Sequence, residues 1–222
     1  PDPQILFDGM SRMIQSMLHR LYPMGEIPDY EPNPNKSFVS LAEARNTTPE
    51  AVLYDYMLEN NGYAMGMMPI FNYVDGNHDV IREMLLHPQS VSGLSDGGAH
   101  CGMICDASIP TFMLSHWTRD RTRGEKLPLE WIIKKQTNDT ASLYGLSDRG
   151  TLKIGKRADI NVIDHSALTL FGPKMAHDLP AGGRRLLQEA SGYDYTVVAG
   201  TVTRQFGKDT GQRPGRLIRG AR

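Results

Sequence analysis

The segment AMGMMPIFNYVDGNHDVIREMLLHPQSVSGLSD, residues 64–96, decides the fold class. Residues 64–74 form a short apolar run typical of a strand, and residues 77–88 have the apolar spacing of a helix that Pro88 ends. Residues 90–95 predict a second strand that ends at Asp96. A strand, a helix and a strand within about thirty residues make a βαβ unit. The segment therefore predicts an α/β fold with a parallel sheet or barrel.

The rest of the chain adds helices before residue 146 and short strands after it. Thr48 and Pro49 give residues 46–62 the start signals of a helix, and residues 109–120 and 127–145 are amphipathic. Residues 152–162 and 195–207 alternate in the manner of strands, with a loop rich in glycine and proline between them at residues 171–185. We expect two domains, residues 1–145 and a small β domain of residues 146–222.

Composition gives no sign of a nucleic-acid or membrane partner. Lysine and arginine number 24 against 25 aspartates and glutamates, a net charge of −1, so binding depends on a local site. No run approaches the roughly 20 apolar residues of a membrane-spanning helix, and a cytoplasmic location is expected. The two cysteines, Cys101 and Cys105, are too few for a disulfide framework, and we expect reduced thiols.

Asp96 is the strongest candidate for a catalytic residue. It ends a predicted parallel strand, where side chains face the active site in α/β proteins, and Gly97 and Gly98 leave room beside it. The same Asp-Gly pair is also a common turn sequence. The local pattern leaves both interpretations open.

The neighbouring His100, Cys101, Cys105 and Asp106 are half of a zinc site at most, because the chain offers no second ligand pair with typical spacing. A loop near the substrate, or ordinary packing of the cysteines, explains them as well. Several arginines in the C-terminal part of the chain are interleaved with glycines and have the chemistry to bind an anion. They are Arg184, Arg185, Arg213, Arg216 and Arg219. A polar, solvated tail is the commoner explanation of such a segment. Turn formation is an adequate explanation of Asp159.

Residues 137–164, TNDTASLYGLSDRGTLKIGKRADINVID, resemble the amidohydrolase superfamily. Its members follow the last barrel helix with a threonine and Gly-Leu, and then with G-x-L-x-x-G-x-x-A-D at the start of a small β domain. The matching residues are Thr137, Gly145, Leu146, Gly150, Leu152, Gly155, Ala158 and Asp159. With SGLSDGGAH at residues 92–100, the chain is most similar to the D-aminoacylase and N-acyl-D-amino-acid or N-acyl-D-glutamate deacylase branch.

The resemblance implies a fold, a reaction and a role for Asp96. The fold is the C-terminal part of a TIM-like, metal-dependent hydrolase barrel followed by a small composite β-sandwich. Asp96 is then the general base and acid that ends the eighth strand, a possible metal contact, and His100 is a substrate contact. The substrate is a small N-acyl amino acid, and the cofactor of the full-length enzyme is zinc or another divalent metal.

The chain departs from the family pattern in its metal ligands. The H-x-H pair of the first strand and the later histidine and cysteine ligands have no counterpart, and residues 105–117, CDASIPTFMLSHW, replace the loop of the D-aminoacylases. We therefore expect a C-terminal portion that binds no metal and is inactive alone, and that self-associates or pairs with the missing N-terminal part. Cyclic amide hydrolysis, deamination and a catalytically inert assembly module remain as alternatives.

Overall fold

The computed structural model describes residues 15–93 and 105–219, together with residues 9, 12, 95 and 102. The chain divides into two compact units, Pro1–Ile81 and Arg82–Arg222. The boundary predicted after residue 145 lies inside the second unit and stays a prediction.

The described part of the chain contains helices and short strands in both units. The helices are α1 (Phe38–Arg45), α2 (Pro49–Gly62), α3 (Asp79–Leu86), α4 (Ile109–Ser115), α5 (Leu129–Lys134) and α6 (Thr140–Leu143). The strands are β1 (Tyr22–Pro23), β2 (Gly66–Met67), β3 (Ile160–Ile163), β4 (Thr169–Leu170), β5 (Lys174–Leu179), β6 (Gly183–Leu187), β7 (Ala190–Ser191), β8 (Tyr193–Val198), β9 (Thr201–Gln205) and β10 (Lys208–Asp209). The predicted mixture of helices and sheets is confirmed.

Local signals place the start of α2 and the end of α3 correctly. The Thr48 side chain accepts a hydrogen bond of 3.3 Å from the backbone N–H of Ala51, as an N-cap does, and Pro49 is the first residue of α2. Helix α3 ends before Pro88, as predicted. In two places an α-helix continues into a π-helical turn, at His116–Asp120 after α4 and at Lys135–Asp139 between α5 and α6.

Two small apolar clusters lie in the described part of the first unit. Tyr22 of β1, Met67 of β2 and Tyr73 form one, and Phe38, Ala42 and Val52 of helices α1 and α2 form the other. The Tyr56 hydroxyl of α2 accepts from the Met24 N–H and donates to the Met65 carbonyl. This side chain therefore fixes α2 against the β1–β2 pair.

The described strands of the second unit lie in its C-terminal half. Its largest described sheet has the order β10-β9-β8-β3, and its strands are joined antiparallel. Two further antiparallel pairs, β4 with β7 and β5 with β6, complete the set of described strands in this unit.

The described residues do not form the predicted βαβ unit with its parallel strands. Every described strand pair is antiparallel, and β2 is two residues long and pairs with β1. Residues 90–93 and 95 are not in a strand. Two backbone carbonyls of this segment accept from side chains instead of from a strand partner: the Ser90 carbonyl accepts from the Lys135 ammonium, and the Ser92 carbonyl from the Thr140 hydroxyl. The predicted strand at 90–95 is therefore wrong for its described residues.

Two predictions for residues 146–222 are also wrong. The predicted loop at residues 171–185 is largely the β5–β6 hairpin, with a turn at Pro180–Gly182. Leu152 and Ile154, predicted in a strand, are exposed and lie outside any strand. The glycines around them form turns, and Gly150 and Gly155 have φ of +83° and +85°.

In the described part of the chain, the helices are too short or too polar to span a lipid bilayer.

Candidate functional site

The main predicted site residues lie outside the described part of the chain. They are Asp96, His100 and Cys101. Of the other members of that cluster, Cys105 is half-buried and Asp106 begins a short 3-10 turn, Asp106–Ser108. The structure therefore describes the segments that flank Asp96 in the sequence, and the roles predicted for Asp96 and His100 stay predictions.

The segment that leads to Asp96 is held by hydrogen bonds at Ser90 and Ser92. The Ser90 hydroxyl donates to the carbonyls of Met84 and His87 at the end of α3. The Ser90 carbonyl accepts from the Lys135 ammonium at 2.6 Å. The Ser92 hydroxyl donates to the Lys135 carbonyl at 3.2 Å. The chain is thus fixed four residues before Asp96.

Lys135 is an unusual residue for this position because its side chain is almost completely buried, with 2% exposure. Its ammonium lies 5.4 Å from the centre of the Trp131 ring, close enough for a cation–π interaction. Burial lowers the pKa of Lys135, Asp139 partly opposes that effect, and Lys134 adds to it. Sequence periodicity did not identify Lys135, since a lysine on an amphipathic helix is normally solvated.

The first unit contains a buried carboxylate and imidazole, Glu31 and His78. Glu31 is 2% exposed and His78 is 8% exposed. A carboxylate oxygen of Glu31 accepts a 2.7 Å hydrogen bond from the backbone N–H of His78. A ring nitrogen of His78 and a carboxylate oxygen of Glu31 lie within 4.8 Å of each other.

Surrounding residues fix both members of this pair. The backbone N–H of Glu31 donates to Asp29, and the Tyr73 hydroxyl donates to the Pro32 carbonyl at 2.5 Å. The Tyr73 ring lies edge-on to the His78 imidazole, with 5.1 Å between the ring centres. The two side chains are therefore oriented by the loop that precedes α1 and by the turn that precedes α3.

The sequence alone does not reveal the Glu31–His78 pair. Glu31 lies in the proline-rich stretch of residues 23–37, a composition typical of a surface loop, yet Glu31, Pro32 and Ser37 are buried. The pairing joins residues 47 positions apart. No spacing rule relates residues so distant, so only the folded chain reveals it.

Glu31 and His78 have the donor chemistry of a divalent metal site. Carboxylate oxygen and imidazole nitrogen are both common zinc ligands, and their donor atoms are near enough to converge on one ion. Both side chains are withdrawn from water and oriented by neighbours, as metal ligands usually are. The pair supplies two donors, fewer than the three or four protein ligands of a typical zinc site, so these residues of the first unit fit a metal as a partial set of ligands.

The arginines considered as anion ligands are partly engaged by neighbouring carboxylates. Arg185 binds Asp178 through two nitrogens at 2.8 and 2.7 Å, and Arg213 binds Asp209 at 2.9 and 2.7 Å. The pKa of Asp209 falls to about 2, mainly because Arg213 donates to it. These pairs explain Arg185 and Arg213 as local fold contacts, while Arg184, Arg216 and Arg219 are exposed.

The comparisons with known proteins place the chain in a family. The amidohydrolase family model matches residues 59–204. The chain belongs to the amidohydrolase family, and the resemblance of residues 137–164 is confirmed. The matched region includes Asp96, Lys135 and the Ala158-Asp159 motif.

The solved structures that the chain resembles are of D-aminoacylase. Two of them match, each at 22% sequence identity and a TM-score of 0.44, over 88% of this chain and 37% of the other. One is described by its binuclear metal centre, and the other as defining a novel subset of amidohydrolases. This chain therefore spans well under half the length of those proteins. No curated protein sequence matches it.

Proposed function

We propose that this chain belongs to a hydrolase that cleaves the amide bond of N-acyl-D-amino acids, with Asp96 as general base and acid. The observation that carries the proposal is the family match over residues 59–204, which includes the SGLSDGGAH segment around Asp96. The fold proposed for the whole protein is a TIM-like barrel followed by a β-sandwich.

The proposed reaction assigns Asp96 two proton transfers. Its carboxylate accepts a proton from the water that attacks the acyl carbon, and it then gives that proton to the amine nitrogen as the carbon–nitrogen bond breaks. The products are a carboxylate and a free D-amino acid. A divalent metal, when bound, would supply this chemistry by lowering the pKa of the attacking water and polarising the acyl oxygen. His100 contacts the substrate in this proposal.

Glu31 and His78 are proposed as metal ligands on their burial, orientation and donor type. Lys135 and Ser90 hold the segment before Asp96 and so limit how far it can move.

The test replaces Asp96 with asparagine in the complete gene product that contains these residues. The amide keeps the shape of the side chain but cannot accept the proton, so we expect kcat on N-acetyl-D-amino acids to fall by at least about 100-fold. Release of D-amino acid is measured directly. Cys105→Ser is the matched control, and we expect it to retain activity.

Undiminished turnover by Asp96→Asn would contradict the assignment of the base. A panel with N-acyl-L-amino acids and cyclic amides tests the substrate class separately. Rapid opening of cyclic amides without release of D-amino acids would replace the deacylase proposal with another amidohydrolase reaction.

A further inference from the structure

Strand β3 forms an open edge of the four-stranded sheet in the second unit. The sheet has the order β10-β9-β8-β3, so β3 pairs with β8 on one side and with no described strand on the other. Asn161 is exposed, and Val162 has 45% exposure. The middle of this edge is therefore open to solvent in the described part of the chain.

Hydrogen bonds at the two ends of β3 show which of its backbone groups face the open edge. The Ala158 carbonyl accepts from the Gly200 N–H at 2.9 Å, and the Asp164 N–H donates at 2.9 Å to the carbonyl of the residue before β8. Successive residues of an antiparallel strand direct their backbone groups to opposite sides. Because these even-numbered residues bond towards β8, the N–H and C=O groups of Asn161 and Ile163 face away from it.

The opposite edge of the same sheet has features that protect an edge strand, whereas β3 lacks them. Strand β10 is only Lys208–Asp209, both residues are exposed and charged, and Arg213 binds the Asp209 carboxylate. The register shift between β3 and β8 leaves the extra residue, Asp194, in β8, so β3 is uninterrupted. Its sequence, Ile-Asn-Val-Ile, contains no charge, proline or glycine. An exposed edge of this kind is suited to pair with a further strand.

The charges on the two sides of β3 are opposite in sign. Residues 148–159, which lead into the strand, contain four basic and two acidic residues. Asp164 follows the strand, and hydrogen bonds from Ser166 and Ala167 lower its pKa, so its carboxylate is charged at neutral pH. Antiparallel pairing of two identical strands brings the basic segment of each copy towards Asp164 of the other. These charges therefore favour a second copy of the chain as the partner.

We propose that β3 pairs with β3 of a second copy of this chain across a two-fold axis. In the proposed register Val162 lies opposite the partner's Val162, and Asn161 of each copy lies opposite Ile163 of the other. This register uses the outward backbone groups of both Asn161 and Ile163, and it buries the exposed Val162 side chains against each other. The contact is small, with four strand residues from each copy, so the association is reversible and depends on concentration. It is independent of the proposed reaction.

Charge variants at Val162 test the pairing in the complete gene product. A substitution at this position meets itself across the axis, so Val162→Lys and Val162→Glu each place two like charges side by side. We expect each variant alone to raise the dissociation constant of the dimer at least about tenfold, measured by sedimentation equilibrium. An equimolar mixture of the two should return it to within about threefold of wild type, because unlike charges then face each other.

Asn161→Pro supplies a second test that adds no charge. Proline at this position removes an N–H that faces the open edge and leaves the hydrogen bonds to β8 in place, as edge strands tolerate. We expect the dissociation constant to rise at least about tenfold, because the symmetric dimer loses the bond twice. Leu187→Lys is the matched control, since Leu187 is 40% exposed in β6, outside this sheet, and we expect wild-type association. Circular dichroism checks that each variant is folded.

A dimer that both charge variants weaken and their mixture restores supports the proposal. A gene product that stays monomeric at every concentration overturns it, and slow amide exchange at Asn161 and Ile163 in that monomer would show that another strand of the same molecule covers β3. A dimer that neither charge variant weakens forms through another surface. A dimer that both variants weaken but their mixture does not restore has no Val162 pair at its axis. Each of the last two results also overturns the proposal.

Discussion

The structure gives Asp159 a more specific role than the turn formation that the sequence predicts. Turn formation accounts for its place in the sequence, but its carboxylate also joins residues that lie far apart in the chain. It accepts from Arg157 Nε at 2.8 Å, from Arg149 at 3.3 Å and from the backbone N–H of Ala199 at 2.8 Å. The last of these partners lies 40 residues away. Asp159 therefore connects the loop before β3 to the β8–β9 turn.

Asp159→Asn should destabilise the fold in a pH-dependent way. Burial raises the pKa of Asp159, but the Ala199 N–H and the two arginines together lower it below its usual 3.8. The charged form therefore stabilises the fold above pH 3.8, and that contribution is lost as the pH falls through the folded-state pKa. We expect the substitution to cost about 1 kcal/mol at pH 7 and less near pH 3.

Urea unfolding at several pH values measures this difference. Glu43→Gln, at an exposed position on α1, is the control and should give little change at any pH. A cost for Asp159→Asn that stays constant from pH 7 to pH 3 would show that the charge of Asp159 is not the cause.

At the scale of elements, the turn before α3 depends on a glycine. Gly76 has φ of +64°, and a Cβ built at this position would lie 2.5 Å from Pro34 Cγ. The turn carries Tyr73 and His78, so its close packing against Pro34 helps to place the imidazole near Glu31.

We expect Gly76→Ala to lower the free energy of unfolding by about 2–3 kcal/mol, from backbone strain and from the contact with Pro34. Gly62→Ala is the control, because Gly62 also has a positive φ, +81°, but nothing lies within 4 Å of its built Cβ. Denaturant titration of both variants separates the two effects. Equal losses would mean that the contact with Pro34 adds nothing.

The helices and strands also show which features could be predicted from the sequence. The start of α2 follows from Thr48 and Pro49, whose signals act within one helical turn. Strand β2 depends on pairing with Tyr22, more than forty residues earlier in the chain, and its two residues could not be distinguished from the longer apolar run 64–74. The segment 90–95 has strand composition, yet Lys135 determines its bonding. Local capping was therefore predictable, and distant pairing was not.

The candidate site residues show the same difference between local signals, which the sequence reveals, and distant contacts, which it does not. Asp96 was predicted from a contiguous motif and stays a prediction, while Glu31 and Lys135 were not predicted, because what distinguishes them is their burial. Burial of a charged residue within a proline-rich loop or on an amphipathic helix leaves no periodic signal. The family match over residues 59–204 confirms the class of protein but does not itself identify these side chains.

For the whole molecule, the remaining prediction concerns metal content. If Glu31 and His78 bind a divalent metal, Glu31→Gln and His78→Gln should each weaken zinc binding at least tenfold, because each removes one ligand atom from a buried site. The complete gene product is expressed with added zinc, dialysed and analysed for metal per chain, and a cobalt-substituted sample reports the ligand field by its absorption spectrum. Glu26→Gln and His87→Gln, at exposed positions, are the controls. Zinc content and cobalt spectra that match wild type in both buried variants would assign the Glu31–His78 pair a purely structural role, and they would do so independently of any activity measurement.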